Sequence, residues 1–195
     1  MDTGFFQQLS TALGENTLSF LQAFTSSLPK EDVACLHMHF LPADQTRCFT
    51  AGTADKGKAM AIRKSTVLAA AAKFLKLKGL DGSALELASK DAASTKVRLH
   101  QVFMLAKCTT AEELAACVAS MEEKKQVILH LCGHGICSDE IPKACVNPDH
   151  LEWGLQSTNV KQTGAHEVLA LVQSLAEYNF LLTIFQHKAA FQRLF

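Results

Sequence analysis

The chain has 195 residues, 48% hydrophobic and 19% charged, with nineteen basic residues balancing nineteen acidic ones. This is enough apolar material for one domain, or one domain with a helical extension, and it excludes a disordered or low-complexity protein. The start, Met1-Asp2-Thr3-Gly4, lacks the basic and apolar runs of a signal peptide, and no stretch reaches the roughly 18 apolar residues of a membrane span, so a soluble protein with no membrane partner is expected.

In chain order, Phe6, Leu9, Leu13, Phe20, Leu21 and Phe24 recur at helical spacing and predict a helix over Phe5 to Leu28, stopped by Pro29. Val33 to Leu41 alternates as a strand does and is expected to pair with Arg47 to Ala51 across the turn Pro42-Ala43-Asp44. Asp55 to Lys58 reads as a loop. Ser65 to Leu77 is alanine-rich and helical, closed by Gly79. Val97 to Leu105 reads as β-like and carries Arg98 and His100. Thr110 to Glu113 has the form of a capping box and opens a helix to about Met121. Lys125 to Leu131 is a short strand. Glu167 to Phe195 has the pattern of one long amphipathic helix, with Leu169, Val172, Leu175, Leu182, Phe185 and Phe191 as its candidate buried positions. Strands and helices without βαβ alternation make the expected class α+β.

Zero net charge hides an uneven distribution. Lys56 to Arg98 holds ten basic and three acidic residues, and the flanking segments are both net acidic. Such a basic middle can attract a phosphate backbone, with Arg63, Lys73, Lys76 and Lys78 as the nucleic-acid-binding candidates; it can equally be a solvated helix face.

The cysteines number seven, an odd count without a secretory pattern. In a reducing compartment a tight Cys/His cluster holds metal more often than disulfides. Cys35, Cys48, Cys108 and Cys117 lie among apolar residues, whereas Cys132, Cys137 and Cys145 cluster with histidines. With His150 they supply four zinc ligands within nineteen residues, and Gly133, Gly135 and Pro142 let the connecting loop turn. His134 is a possible substitute ligand.

The segment His130-Leu-Cys132, then Cys145-Val-Asn147-Pro148-Asp149-His150-Leu151, then Asn159, resembles the His-Cys box of homing endonucleases, within the wider ββα-metal (HNH-like) nucleases. The match covers about thirty of the 195 residues. The resemblance implies a single nuclease domain over 1–195, with its ββα-metal and zinc core at about 95–165 and a C-terminal helical extension at about 166–195. It implies a Mg²⁺-dependent enzyme that hydrolyses phosphodiester bonds of double-stranded DNA. Zinc on Cys132, Cys137, Cys145 and His150 would be structural, His130 the general base, and Asn159 the Mg²⁺ ligand. Arg98 would meet the phosphate, with Arg63 as the alternative. In the family one zinc ligand can come from far upstream; Cys137 takes that place here, with Cys108 or Cys48 as the fallback. A second, C-terminal zinc site of the family has no counterpart, because no cysteine follows Cys145. The resemblance also implies a homodimer, with the terminal helix as a possible arm, and a place inside the cell: the nucleus in a eukaryote, the cytoplasm otherwise. Two other readings remain open. One is a non-catalytic zinc module that binds DNA or protein; the other is a helical interaction protein that docks through Leu169 to Phe195.

Overall fold

A computed structural model describes residues 4–33, 48–51, 59–92, 95–123, 126–132, 144–161, 172 and 175–176. The apolar N-terminal stretch forms two helices instead of one, α1 (Gly4–Leu13) and α2 (Thr17–Ser27), separated by a 3-10 turn at Gly14–Asn16. Gly14 takes a φ of 55°, a left-handed conformation open to glycine at little cost, and this breaks the helix without disturbing the apolar spacing. All six periodic residues, Phe6 to Phe24, are buried. Strand β1 (Glu31–Val33) pairs antiparallel with β2 (Cys48–Thr50). The partner segment is the expected one, but β1 meets the expected strand Val33 to Leu41 only at Val33; the rest of that strand, the turn after it and the Asp55–Lys58 loop lie outside the described residues.

Strand β3 (Ala61–Arg63) runs directly into α3 (Lys64–Leu77). The helix ends at Gly79, whose φ is 74°: Gly79 N donates to Lys76 O and Leu80 N to Leu75 O, the paired bonds of a Schellman cap. Helix α4 (Ser83–Asp91), which was not among the elements expected from sequence, packs against α3.

The stretch Val97 to Leu105 is not a strand. Only β4 (Lys96–Arg98) is extended, paired with β3, and the chain then coils as α5 (Leu99–Ala106). Every residue from Leu99 to Leu105 is buried, His100 and Gln101 included, so α5 shows no exposed polar face to mark a helical period, and so short a buried run reads equally well as β. Helix α6 (Ala111–Glu122) begins as its capping box predicts: Glu113 N donates to Thr110 Oγ1 at 3.1 Å. The Glu113 carboxylate reaches back to Thr109, accepting from its N at 2.7 Å and its hydroxyl at 3.0 Å.

Strand β5 (Val127–His130) pairs antiparallel with β6 (Leu151–Gly154), which the sequence had not distinguished from the loop before it. Residues 156–161 are helical and follow β6 at once. The architecture is thus α+β, with helices and three separate two-stranded antiparallel ribbons among the described residues. Most of the proposed C-terminal helix lies outside them. Val172 and Leu175 are helical, but 56% and 53% exposed, so these two are not the buried positions that their periodicity suggested.

The interior divides into parts. The larger apolar cluster unites α1, α2, α3, α5 and α6, with Leu85 of α4. A smaller one gathers Met60, Leu99, Phe103, Met104, Val146 and Leu151. Helix α5 serves both: it packs against α2 and α6 on one side and against β4, β5 and β6 on the other.

Candidate metal centre and the neighbouring histidine pair

The β5–β6 connection begins at Leu131 and is drawn together at both ends by backbone bonds. Leu131 N donates to His150 O at 2.8 Å, and Val146 N donates to Phe49 O at 2.8 Å, which ties the connection to β2. Asn147 and Pro148 shape the turn before β6. The Asn147 side-chain oxygen accepts from Asp149 N at 3.1 Å and caps the 3-10 turn Pro148–His150, where proline at the first position lacks only a donor that had no helical acceptor. Lys107, just past α5, donates to Pro148 O at 3.1 Å. These bonds place Cys132, Cys145 and His150 side by side at the end of the β5–β6 ribbon.

Among the described residues, the fourth donor beside them comes from β2. Cys48, Cys132, Cys145 and His150 form a buried group whose ligand atoms all lie within 4.8 Å of one another. His150 Nδ1 is 3.3 Å from Cys48 Sγ and 3.5 Å from Cys145 Sγ. A tetrahedral ion with metal–sulfur bonds near 2.3 Å and metal–nitrogen bonds near 2.0 Å requires an S···N edge of about 3.5 Å. The group could therefore hold a metal ion such as zinc, and three thiols with one imidazole are the soft and borderline donors such an ion takes. The Cys145 thiol is held far below the ordinary thiol range, first by its hydrogen bond with Cys132, then by that with Cys48. Asn147 N adds a bond to the same sulfur at 3.3 Å.

Cys48 had been only a fallback. The sequence assigned the fourth position to Cys137, which lies outside the described residues, as does His134. The other fallback, Cys108, is remote from the cluster: it belongs to the large apolar core beside Cys117, where burial pushes its thiol up to about 12. A ligand 84 positions upstream of Cys132 leaves no spacing signal, and the only sequence cue for Cys48 was its place in an extended apolar stretch.

His130 ends β5, its Cα opposite Leu151. Its ring meets that of His100, in the first turn of α5, edge to face: the centroids are 5.1 Å apart and the planes at 86°. His100 is 8% exposed. Burial first, then its electrostatic interactions with His130 and Arg98, hold its pKa well below the ordinary 6.5, which favours the neutral imidazole.

Arg98 stands at the junction of β4 and α5, near enough to His100 to act on it electrostatically. On the same ribbon Arg63 lies opposite Lys96, and Arg98 opposite Ala61, and cross-strand partners share a face. Arg63, Lys96 and Arg98 are exposed, so this face is basic. Lys73 and Lys76 of α3 and Lys78 at its C-terminal cap are also exposed but partly engaged: Lys76 pairs with Glu86, and Lys78 Nζ donates to Asn16 Oδ1 at 2.8 Å. Asn159 lies half-buried in the helical residues after β6, its N donating to Leu155 O at 3.0 Å.

No helix among the described residues is long and apolar enough to cross a membrane. No protein-family model, curated protein or solved structure matches this chain.

Proposed function

We propose that the chain is a Mg²⁺-dependent DNA endonuclease of the His-Cys box type, built around a structural zinc ion on Cys48, Cys132, Cys145 and His150. The observation that carries this reading is the order strand, metal-ligand connection, strand, helix. His130 stands at the end of the first strand, and Asn159 in the helical residues after the second. A ribbon, a four-donor cluster and a helix in that order are what the sequence resemblance calls for.

In this reading zinc fastens the connection and does no chemistry. His130 takes a proton from the attacking water. Arg98 lies along the phosphate, and the basic face of the β3–β4 ribbon, with Lys73 and Lys76 of α3 and Lys78 just past it, neutralises backbone charge. The Asn159 amide oxygen is a hard donor that fits Mg²⁺, which when bound there supplies charge stabilisation at the phosphate and the leaving 3′ oxygen. Two such chains, as a homodimer, would cut both strands of a duplex. The protein would then act inside the cell, in the nucleus of a eukaryote or in the cytoplasm otherwise.

The test is incubation of zinc-loaded protein with supercoiled plasmid, with and without Mg²⁺. Cleavage that needs Mg²⁺ and falls by about 10²–10⁴-fold in His130→Ala, at unchanged zinc content and DNA affinity, is the expected result. A second reading, a non-catalytic zinc module for DNA or protein, draws support from the shielding of His130 Nε2 from solvent. Plasmid that stays intact while DNA is bound would favour it.

A further inference from the structure

We infer that His100 is a positioning residue for His130, fixing the orientation of its imidazole by an edge-to-face contact from the first turn of α5. The inference rests on the nuclease reading for its purpose and on the ring geometry for its substance.

The backbone of His130 is fixed by the β5–β6 register and by the bond from Leu131 N to His150 O. This leaves two side-chain torsions to be set before either ring nitrogen can face a water. The ring of His100 stands at 86° to that of His130, and an aromatic edge against a face restricts rotation about the second torsion. His100 is itself held firmly. Leu99 N donates to Met60 O at 2.9 Å, and Leu99 and Val102 are wholly buried beside it.

His100 follows Arg98 by two residues, so the proposed phosphate-binding arginine and the wall against the proposed base are set by one short piece of backbone. A misplacement of about 1 Å in such a group can cost about 10²-fold in rate.

The test compares His100→Ala, which removes the wall, with His100→Phe, which keeps an aromatic ring of similar reach, in the zinc-loaded full chain. Two quantities are read: plasmid cleavage under single-turnover conditions, and the imidazole ¹H–¹⁵N signals of His130. The expected result is a fall of about tenfold to a hundredfold in the cleavage rate of His100→Ala at unchanged DNA affinity, with recovery in His100→Phe. The His130 signals should shift toward a freely rotating ring in the first variant only. Unchanged His130 signals in folded, zinc-loaded His100→Ala would overturn the inference. So would equal losses of rate in both variants. If His100→Ala does not fold, His100→Asn takes its place with the same expectation. If the unsubstituted protein cleaves nothing, the nuclease reading fails alone, and the His130 signals still decide whether His100 orients that ring.

Discussion

Replacing Cys48 with serine tests the metal centre where sequence and structure differ. The Cys48 thiol is fully buried, 3.3 Å from His150 Nδ1, and is the one member of the cluster outside the β5–β6 unit. Structural zinc contributes roughly 10–16 kcal/mol of apparent binding energy through four ligands, so one thiolate accounts for about 3 kcal/mol, or about a hundredfold in affinity. A serine hydroxyl restores little of this, because it is not deprotonated at neutral pH and is a hard donor. Cys48→Ser should therefore lose zinc to a chromophoric chelator at about one hundredth of the concentration needed for the unsubstituted protein. Cys137→Ser should hold its zinc unchanged. The assay is chelator competition with metal analysis of the dialysed protein, alongside a thermal melt of each variant. Cys48→Ser with full zinc affinity, or Cys137→Ser without it, would refute the four-ligand assignment and return the fourth position to Cys137.

The basic ribbon and the α3 lysines should separate in salt titrations of DNA binding. Arg63→Gln with Arg98→Gln should lower the slope of log K against log salt by about 2, whereas neutralising Lys73, Lys76 and Lys78 should lower it by less than the three charges imply. Lys76 and Lys78 already bind Glu86 and Asn16, so equal losses per charge would contradict this. Stability should depend on pH through His100, which faces His130 on β5 and Arg98 on β4. The unfolded chain takes up a proton near pH 6.5 that the folded state refuses, so this contribution is whole above pH 6.5. It is lost as pH falls toward the folded value, at about 1.4 kcal/mol per pH unit. Denaturation of His100→Phe should lack that part of the acid slope, and matching slopes in the two proteins would exclude it. Gly82→Ala should destabilise by about 1–3 kcal/mol, because the new Cβ would stand 2.6 Å from the Ala72 carbonyl oxygen and 3.0 Å from its Cα. An unchanged denaturation midpoint would show that α4 can shift away from α3 without loss.

Local signals in the sequence located most of the helices. The α3 stop at Gly79 and the α6 start at Thr110 are fixed by residues adjacent to the boundary, and both were legible. What escaped depends on partners distant in sequence. Helix α5 is buried on all sides, so tertiary packing erased the period that identifies a surface helix. Strand β6 is four residues long and is defined by β5. In the candidate site, Cys132, Cys145 and His150 were legible from spacing because they share one connection. Cys48 and His100 arrive from other elements, and no spacing rule could join them to it.

The larger apolar cluster contains none of the four candidate metal ligands, while the cysteines of the group form a small cluster of their own. With zinc as the proposed occupant, the two parts would answer to different variables: one to temperature and denaturant through its apolar area, the other to the free concentration of the metal ion. At low metal supply the helical part would keep its own stabilisation while the β5–β6 unit loosened, and the chain would pass through a state with native helix content and no assembled site. Unfolding followed by helical signal and unfolding followed at His130 need not coincide, and the interval between them would widen as metal is withdrawn. Helix α5, in contact with both parts, is where that state would have its boundary.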